Sequence, residues 1–210
     1  MRARTALIAI AVGGAVVLSA LVAVPALANP GNGPGGGPGY GPGAPTATMP
    51  NRRGDCPLGI TVPSGTLTDK QRATLAYNAE EEKLAHDLYT EFANRYDAAI
   101  FDRIAGAESH HLNAIRTLLD RYGIADPTAG QASGQFTNPD VQATYDSLLT
   151  QGITNEQAAL QVGVTVETDD IEQLRSALDG LTAPDVQRVY TRLRTASERH
   201  LTAFTTWLDQ

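Results

Sequence analysis

The chain carries one cysteine, Cys56, so no internal disulfide framework staples it, even in a compartment that would permit one. Cys56 reads as an incidental thiol outside the expected core, with an intermolecular disulfide as the sharper alternative. Basic charge is also scarce. Sixteen Lys and Arg stand against 23 Asp and Glu, a formal charge of −7, which suits neither nucleic acid nor an anionic membrane surface. There is no Ser-His-Asp arrangement, P-loop or dinucleotide fingerprint, and the Gly-rich stretch lacks the flanking strand and helix that a phosphate cradle needs. Period-two alternation is missing as well. Residues 162–166 are β-branched but continue a helical periodicity on both sides, so no sheet is expected.

What is present begins with a leader. Arg2 and Arg4 precede an apolar run from Ala6 to Val24, Pro25 breaks it, and Ala26-Leu27-Ala28 is a small-x-small cleavage signal. Residues 1–28 therefore read as a secretory signal peptide, with an uncleaved membrane anchor as the alternative. No cysteine near the cleavage site offers a lipid anchor. Removing the leader takes away two Arg and no acid, making the net charge two units more negative. Residues 29–65 are expected to be a Gly/Pro-rich disordered tether with few side chains to bury. The expected location is secreted or cell-envelope, with no stable membrane insertion once the signal is cleaved.

The folded domain is expected over 66–210, as four long helices and one short one. Helix one should start at Thr68, with Gln71 completing a capping box, and run to about Tyr96. Its core stripe reads Leu75, Ala79, Glu82, Tyr89, Ala93. Helix two covers about Ala99 to Tyr122 and stops at Gly123. A long connection, 123–153, carries a short helix capped by Asn138 with Pro139 in its first turn. Helix three should begin at Thr154 with Gln157 three on and end near Leu178, with the stripe Leu160, Val164, Glu167, Ile171, Leu174, Leu178. Helix four runs from about Pro184 to Leu208, with His200 in its stripe. Short links make each long pair antiparallel. Two hairpins joined by one long crossover is the connectivity of ferritin-like four-helix bundles.

Each long helix places an ionisable residue inside its apolar stripe: Glu82 on the first, Glu108 and His111 on the second, Glu167 and Asp170 on the third, His200 on the fourth. Burying an unpaired charge costs several kcal/mol or forces the group to neutralise. Four carboxylates would cancel the charge of two divalent cations, and carboxylate oxygen with imidazole nitrogen suits iron or manganese and admits zinc. The bland reading of Glu80-Glu81-Glu82-Lys83 is a solvated charge run, from which only the helical phase picks Glu82, with Glu81 as fallback. His86, one turn from Glu82, reads as a satisfied histidine, with a further metal ligand or a support to the ligands as the alternative; His110 reads as exposed, and Tyr89, Tyr190, Phe204 and Trp207 as plain core rather than redox partners.

The run Glu80-Glu81-Glu82-Lys83-Leu84-Ala85 with Asp87-Leu88-Tyr89 resembles an uncharacterised bacterial domain-of-unknown-function family of the ferritin-like superfamily. So do Glu108-Ser109-x-His111, Leu118 to Gly123, Asp126-Pro127, Phe136-Thr137-Asn138-Pro139, Glu167-x-x-Asp170-Ile171 and Ser197-x-x-His200-Leu201-x-Ala203-Phe204. The resemblance spans about 66–208. Its wider kin, rubrerythrin and ferritin, bind two irons between four helices, so the resemblance implies a carboxylate-bridged dimetal site with oxidase or peroxidase activity. The chain departs from those kin where helix four usually carries Glu-x-x-His: Ser197 occupies the Glu position, and Asp170 is the candidate replacement.

The expected function is an exported metal-binding protein with two divalent ions, iron first, manganese or zinc otherwise. It would act as a dimetal oxidoreductase on peroxide, oxygen or ferrous iron. The alternative is a non-catalytic envelope-binding or metal-sequestering module, its inward acids paired with arginines such as Arg103 or Arg194. Homodimerisation is left open.

Overall fold

The computed structural model describes residues 60–210. The expected leader, Cys56 and the tether up to residue 59 lie outside them. Among the described residues the chain is all-helical, with five helices and no strand: α1 Asp69–Arg95, α2 Ala99–Arg121, α3 Pro139–Gly152, α4 Glu156–Leu178 and α5 Pro184–Leu208. No described helix is long and apolar enough to cross a membrane.

The helix ends follow local chemistry. Thr68 and Gln71 form the expected capping box, each side chain accepting from the other residue's backbone N–H at 3.2 and 2.9 Å. Asn138 accepts from Asp140 N at 2.9 Å to start α3, with Pro139 in the first turn where its missing N–H costs nothing. Gly123, at φ +59°, ends α2. Its N–H bonds to Asp120 O, and Ile124 N bonds to Leu119 O, satisfying two otherwise orphaned carbonyls. One cap departs from expectation. Asn155, not Thr154, starts α4 by accepting from Ala158 N at 2.8 Å, and Asn is the stronger N-cap of the two.

The links of a few residues at 96–98 and 179–183 fold α1 on α2 and α4 on α5. The two hairpins then face each other through α1 against α4 and α2 against α5, and α3 covers the α1/α4 side. Helix α1 therefore has neighbours on three sides. That explains why much of it is buried, including Glu80, Glu82, Lys83 and Asp87. The solvated reading of this charge run is thus overturned at Glu80 and Lys83, because α3 and the crossover cover the second face, while Glu82 faces inward as its helical phase predicts. On α4, Val164 and Ile171 are only half-buried. Val162, Gly163, Val166 and Glu167 form the inner face instead, a rotation of the stripe by about one residue position.

The apolar core falls into two clusters. One contains Leu84, Leu88, Tyr89, Phe92, Phe101, Ile104, Leu160 and Phe204, tied by a chain of ring contacts with Tyr89–Phe204 centroids 5.1 Å apart and Phe92–Phe101 5.5 Å apart. The other contains Leu75, Ala79, Leu112, Ile115, Leu119, Leu174, Val189 and Leu193. Glu82 stands between Ala79 and Leu84, Glu108 between Ala105 and Leu112, Glu167 between Val166 and Leu174, and Ser197 and His200 between Leu193 and Phe204. The interruption of the core is therefore a polar layer at the middle of the domain.

Residues 60–65, the end of the segment expected to be a tether, lie against the helices. Ile60 is buried in the second cluster. Arg121 donates to Val62 O at 3.0 Å, and Gly65 N donates to the Tyr122 hydroxyl at 2.9 Å. Arg121 and Tyr122 also bind the fully buried Asp185 at the start of α5.

Candidate metal centre

In the polar layer Glu82, Glu108 and Glu167 are each 2–3% exposed. Glu108 lies at the centre. Its Oε2 is 2.7 Å from His111 Nδ1 and its Oε1 is 2.8 Å from His200 Nδ1. Each imidazole reaches one more carboxylate: His111 Nδ1 is 3.3 Å from Glu82 Oε2, and His200 Nδ1 is 3.5 Å from Glu167 Oε2. The rings stack with centroids 5.6 Å apart. Two groups of donors result, Glu82–Glu108–His111 and Glu108–Glu167–His200, with the donor atoms of each within 4.8 Å of one another. The first is supplied entirely by α1 and α2. The second needs α2, α4 and α5. Glu108 belongs to both.

Asp170, one helical turn from Glu167, is half-buried at the edge of this layer. The buried Ser197 donates to its Oδ2 at 2.7 Å. Ser197, three residues before His200 on α5, is therefore bonded to a carboxylate from α4. Asp170 itself is in neither three-residue group.

The electrostatics are unresolved by protons alone. Burial pushes Glu82 well above the usual carboxylate range, the Asp170 charge adds to this, and His111 opposes it. Burial likewise raises Glu167, against His200, with Glu108 adding to the rise. Asp170 is pushed up to about 7 by burial, against its Ser197 bond. Burial acts upward on Glu108 too, but the two imidazoles beside it win and hold it at about 2. Burial disfavours the charged imidazoles, yet their carboxylate partners lift His111 to about 11 and His200 to about 9. One carboxylate thus takes the support of both imidazoles, while its neighbours are driven toward neutrality.

Hydrogen bonding tells the same story. Glu82 Oε1, Glu108 Oε1 and His200 Nδ1 are buried without a hydrogen-bond partner. The last two sit 2.8 Å apart but are not aligned to share a proton. Buried polar atoms in native proteins are almost always satisfied, so three orphans in one layer fit a cation that the donors would face together. The donor set is hard oxygen plus imidazole, without thiolate, which fits iron, manganese or zinc.

The expected arginine partners are elsewhere. Arg103 is exposed, and Arg194 Nε reaches Glu198 at 3.6 Å. His110 is exposed, as expected. His86 faces Asp87, with Nδ1 3.0 Å from Oδ1, and belongs to a second buried cluster on the far side of α1. There Lys83 Nζ bonds Asp87 Oδ2 and donates to Ala132 O at 2.8 Å. Gly134 N, in a residue at φ +71°, donates to Asp87 at 2.9 Å. Glu80 Oε1 accepts from Thr137 N and Asn138 N at 2.6 and 2.9 Å. This cluster clamps the crossover onto α1. Its signal in the sequence is the 80, 83, 87 spacing, a second helical stripe of charges beside the one carrying Glu82. Tyr89, expected as plain core, is fully buried, but its hydroxyl donates to Glu167 Oε1 at 2.7 Å. Periodicity could place that ring inward but could not aim its hydroxyl.

The chain is 34% identical over 149 residues to "Uncharacterized protein MJ0754" of Methanocaldococcus jannaschii, covering 71% of this chain and 80% of that one. The crystal structure of hypothetical protein MJ0754 superposes with a TM-score of 0.69 at 34% identity, covering 71% of this chain and 85% of that one. The resemblance read from the sequence was to a bacterial family, whereas this relative is archaeal. Residues 71–210 match the family described as "Uncharacterized protein domain (DUF2202)", and the chain belongs to that family.

Proposed function

We propose that the protein is an exported, ferritin-like metal-binding protein that holds two divalent cations in its mid-domain polar layer. Iron is the first candidate, with manganese and zinc compatible with the same donors. The observation that carries the reading is Glu108: each of its two oxygens faces a different imidazole, and three donor atoms around it are buried and unpartnered. Glu82 and His111 would hold one ion and Glu167 and His200 the other, with Glu108 shared. Asp170, held by Ser197, supplies the fourth carboxylate that balances four positive charges. The hairpin–crossover–hairpin connectivity supports the ferritin-like assignment, and the basic start, apolar run and Ala-x-Ala signal support export.

When bound, an iron or manganese pair supplies one-electron chemistry toward oxygen or peroxide. The protein's own part is structural and electrostatic. Two apolar clusters above and below the layer limit water, and Glu82, Glu167 and Asp170 remain poised to lose protons as cations arrive. His111 and His200 give up their charge to become ligands, so binding releases protons and strengthens with pH.

The test is elemental analysis of the purified, metal-reconstituted protein. About two iron, manganese or zinc per chain are expected, falling to near zero in Glu108→Ala. Absence of all three from the wild type overturns the reading. Bound metal that produces no turnover with peroxide, oxygen or ferrous iron would assign sequestration.

A further inference from the structure

Two hydroxyls treat the four carboxylates of the layer unequally. Tyr89, from α1, donates to Glu167 Oε1 at 2.7 Å, and Ser197, from α5, donates to Asp170 Oδ2 at 2.7 Å. Both hydroxyl-bearing residues are buried, at 0% and 1% exposure. Both target carboxylates come from α4, and both donors come from other helices. Each α4 carboxylate therefore keeps one oxygen that no hydroxyl engages. For Glu167 that oxygen is Oε2, the atom facing His200. No hydroxyl reaches Glu82 or Glu108, and each of those has an oxygen without any hydrogen-bond partner.

We propose that Tyr89 and Ser197 are positioning residues that restrict Glu167 and Asp170 to single-oxygen ligation, leaving Glu108 as the carboxylate that spans both ions. The inference rests on the metal-binding reading above and goes beyond it by giving control of the ligand modes to two residues that touch no ion. A carboxylate with one oxygen fixed by a short hydrogen bond cannot rotate to present both oxygens without breaking that bond. The bond also withdraws charge from the free oxygen, making it a weaker bridge. Glu108 has neither restriction, because its two oxygens face only His111 and His200, the imidazoles that would themselves turn to the ions. The competing explanation is that a buried phenol or serine merely needs an acceptor. It predicts no effect on metal ligation.

Removal of partners that orient metal ligands typically costs about 10–100-fold in metal affinity. The experiment is titration of the metal-free protein with Co2+, following heat of binding and the visible d–d bands. Two binding steps are expected in the wild type. Tyr89→Phe keeps the ring packing and should weaken one step by about 10–100-fold with altered bands, leaving the other step in place. Ser197→Ala should change the bands through Asp170, and Ser197→Thr, which restores a hydroxyl, should return the wild-type spectrum. Circular dichroism checks that each variant folds, and the serine pair decides the matter if Tyr89→Phe does not. Wild-type affinities and bands in both Tyr89→Phe and Ser197→Ala overturn the positioning role alone. A wild type that takes up no Co2+ overturns the metal reading and this inference together.

Discussion

Helix α1 carries two buried charged clusters on different faces, and they solve the cost of burial differently. On one face Lys83 and Asp87 pair with each other, Asp87 also binds Gly134 N, and Glu80 binds two backbone N–H groups at the start of α3. Every charge there has a partner within the protein. On the other face Glu82 meets Glu108, Glu167 and Asp170 across the layer, and only the two imidazoles offset four acids. Three donor atoms there have no hydrogen-bond partner. A buried charge is tolerated when its partners are built in, or when a partner is supplied from outside. The first cluster fastens the fold, whereas the second matches a cation site.

The two clusters should respond oppositely to perturbation, and the largest effect belongs to the closed one. Lys83→Ala takes the ammonium away from the buried Asp87, and should cost about 3–5 kcal/mol in urea unfolding, with metal present or absent. A loss below about 1 kcal/mol would show that the cluster holds little. Next comes the open cluster. Metal at one hundred times its dissociation constant should raise wild-type stability by about 2.7 kcal/mol per site. Glu82→Gln should reduce that gain while leaving the metal-free protein as stable or more so, because it removes a carboxylate that burial and Asp170 already push toward neutrality. A metal-free Glu82→Gln protein markedly weaker than wild type would contradict this.

A smaller effect sharpens the comparison. Gly134 sits at φ +71°, and an added Cβ would meet the Tyr145 ring at 3.0 Å. Gly134→Ala should cost about 1–2 kcal/mol in a thermal melt and leave metal binding unaltered. A fall in metal affinity would show that the clamp and the layer are coupled. The smallest effect is acid dependence. Burial raises Asp87, but His86, Lys83 and Gly134 N–H overcome this and hold it below its ordinary 3.8. Its contribution is therefore complete above about pH 3.8 and declines as pH falls through the lowered value. Asp87→Asn should flatten that limb of a stability–pH curve, and an unchanged limb would assign it to other acids.

Much of this was legible before coordinates. The capping box at Thr68, the stop at Gly123, the α3 start at Asn138 and the start of α5 near Pro184 are local signals, decided within a few residues. The placement of Glu82, Glu108, His111, Glu167 and His200 inward followed from helical phase. Phase failed where tertiary structure decides. Val164 and Ile171 fit the period of α4 but are only half-buried. Glu80 and Lys83 looked solvated because nothing in their neighbourhood announces that a crossover fifty residues later will cover them. The aim of the Tyr89 hydroxyl, and the use of Ser197 to hold Asp170, depend on side-chain directions that spacing does not encode.

The most direct test of the central claim is anomalous diffraction from crystals of the protein grown with Mn2+. Two peaks should flank the Glu108 carboxylate, one toward Glu82 and His111, the other toward Glu167 and His200. Peaks confined to the surface, or no density beside Glu108 at saturating Mn2+, would contradict it.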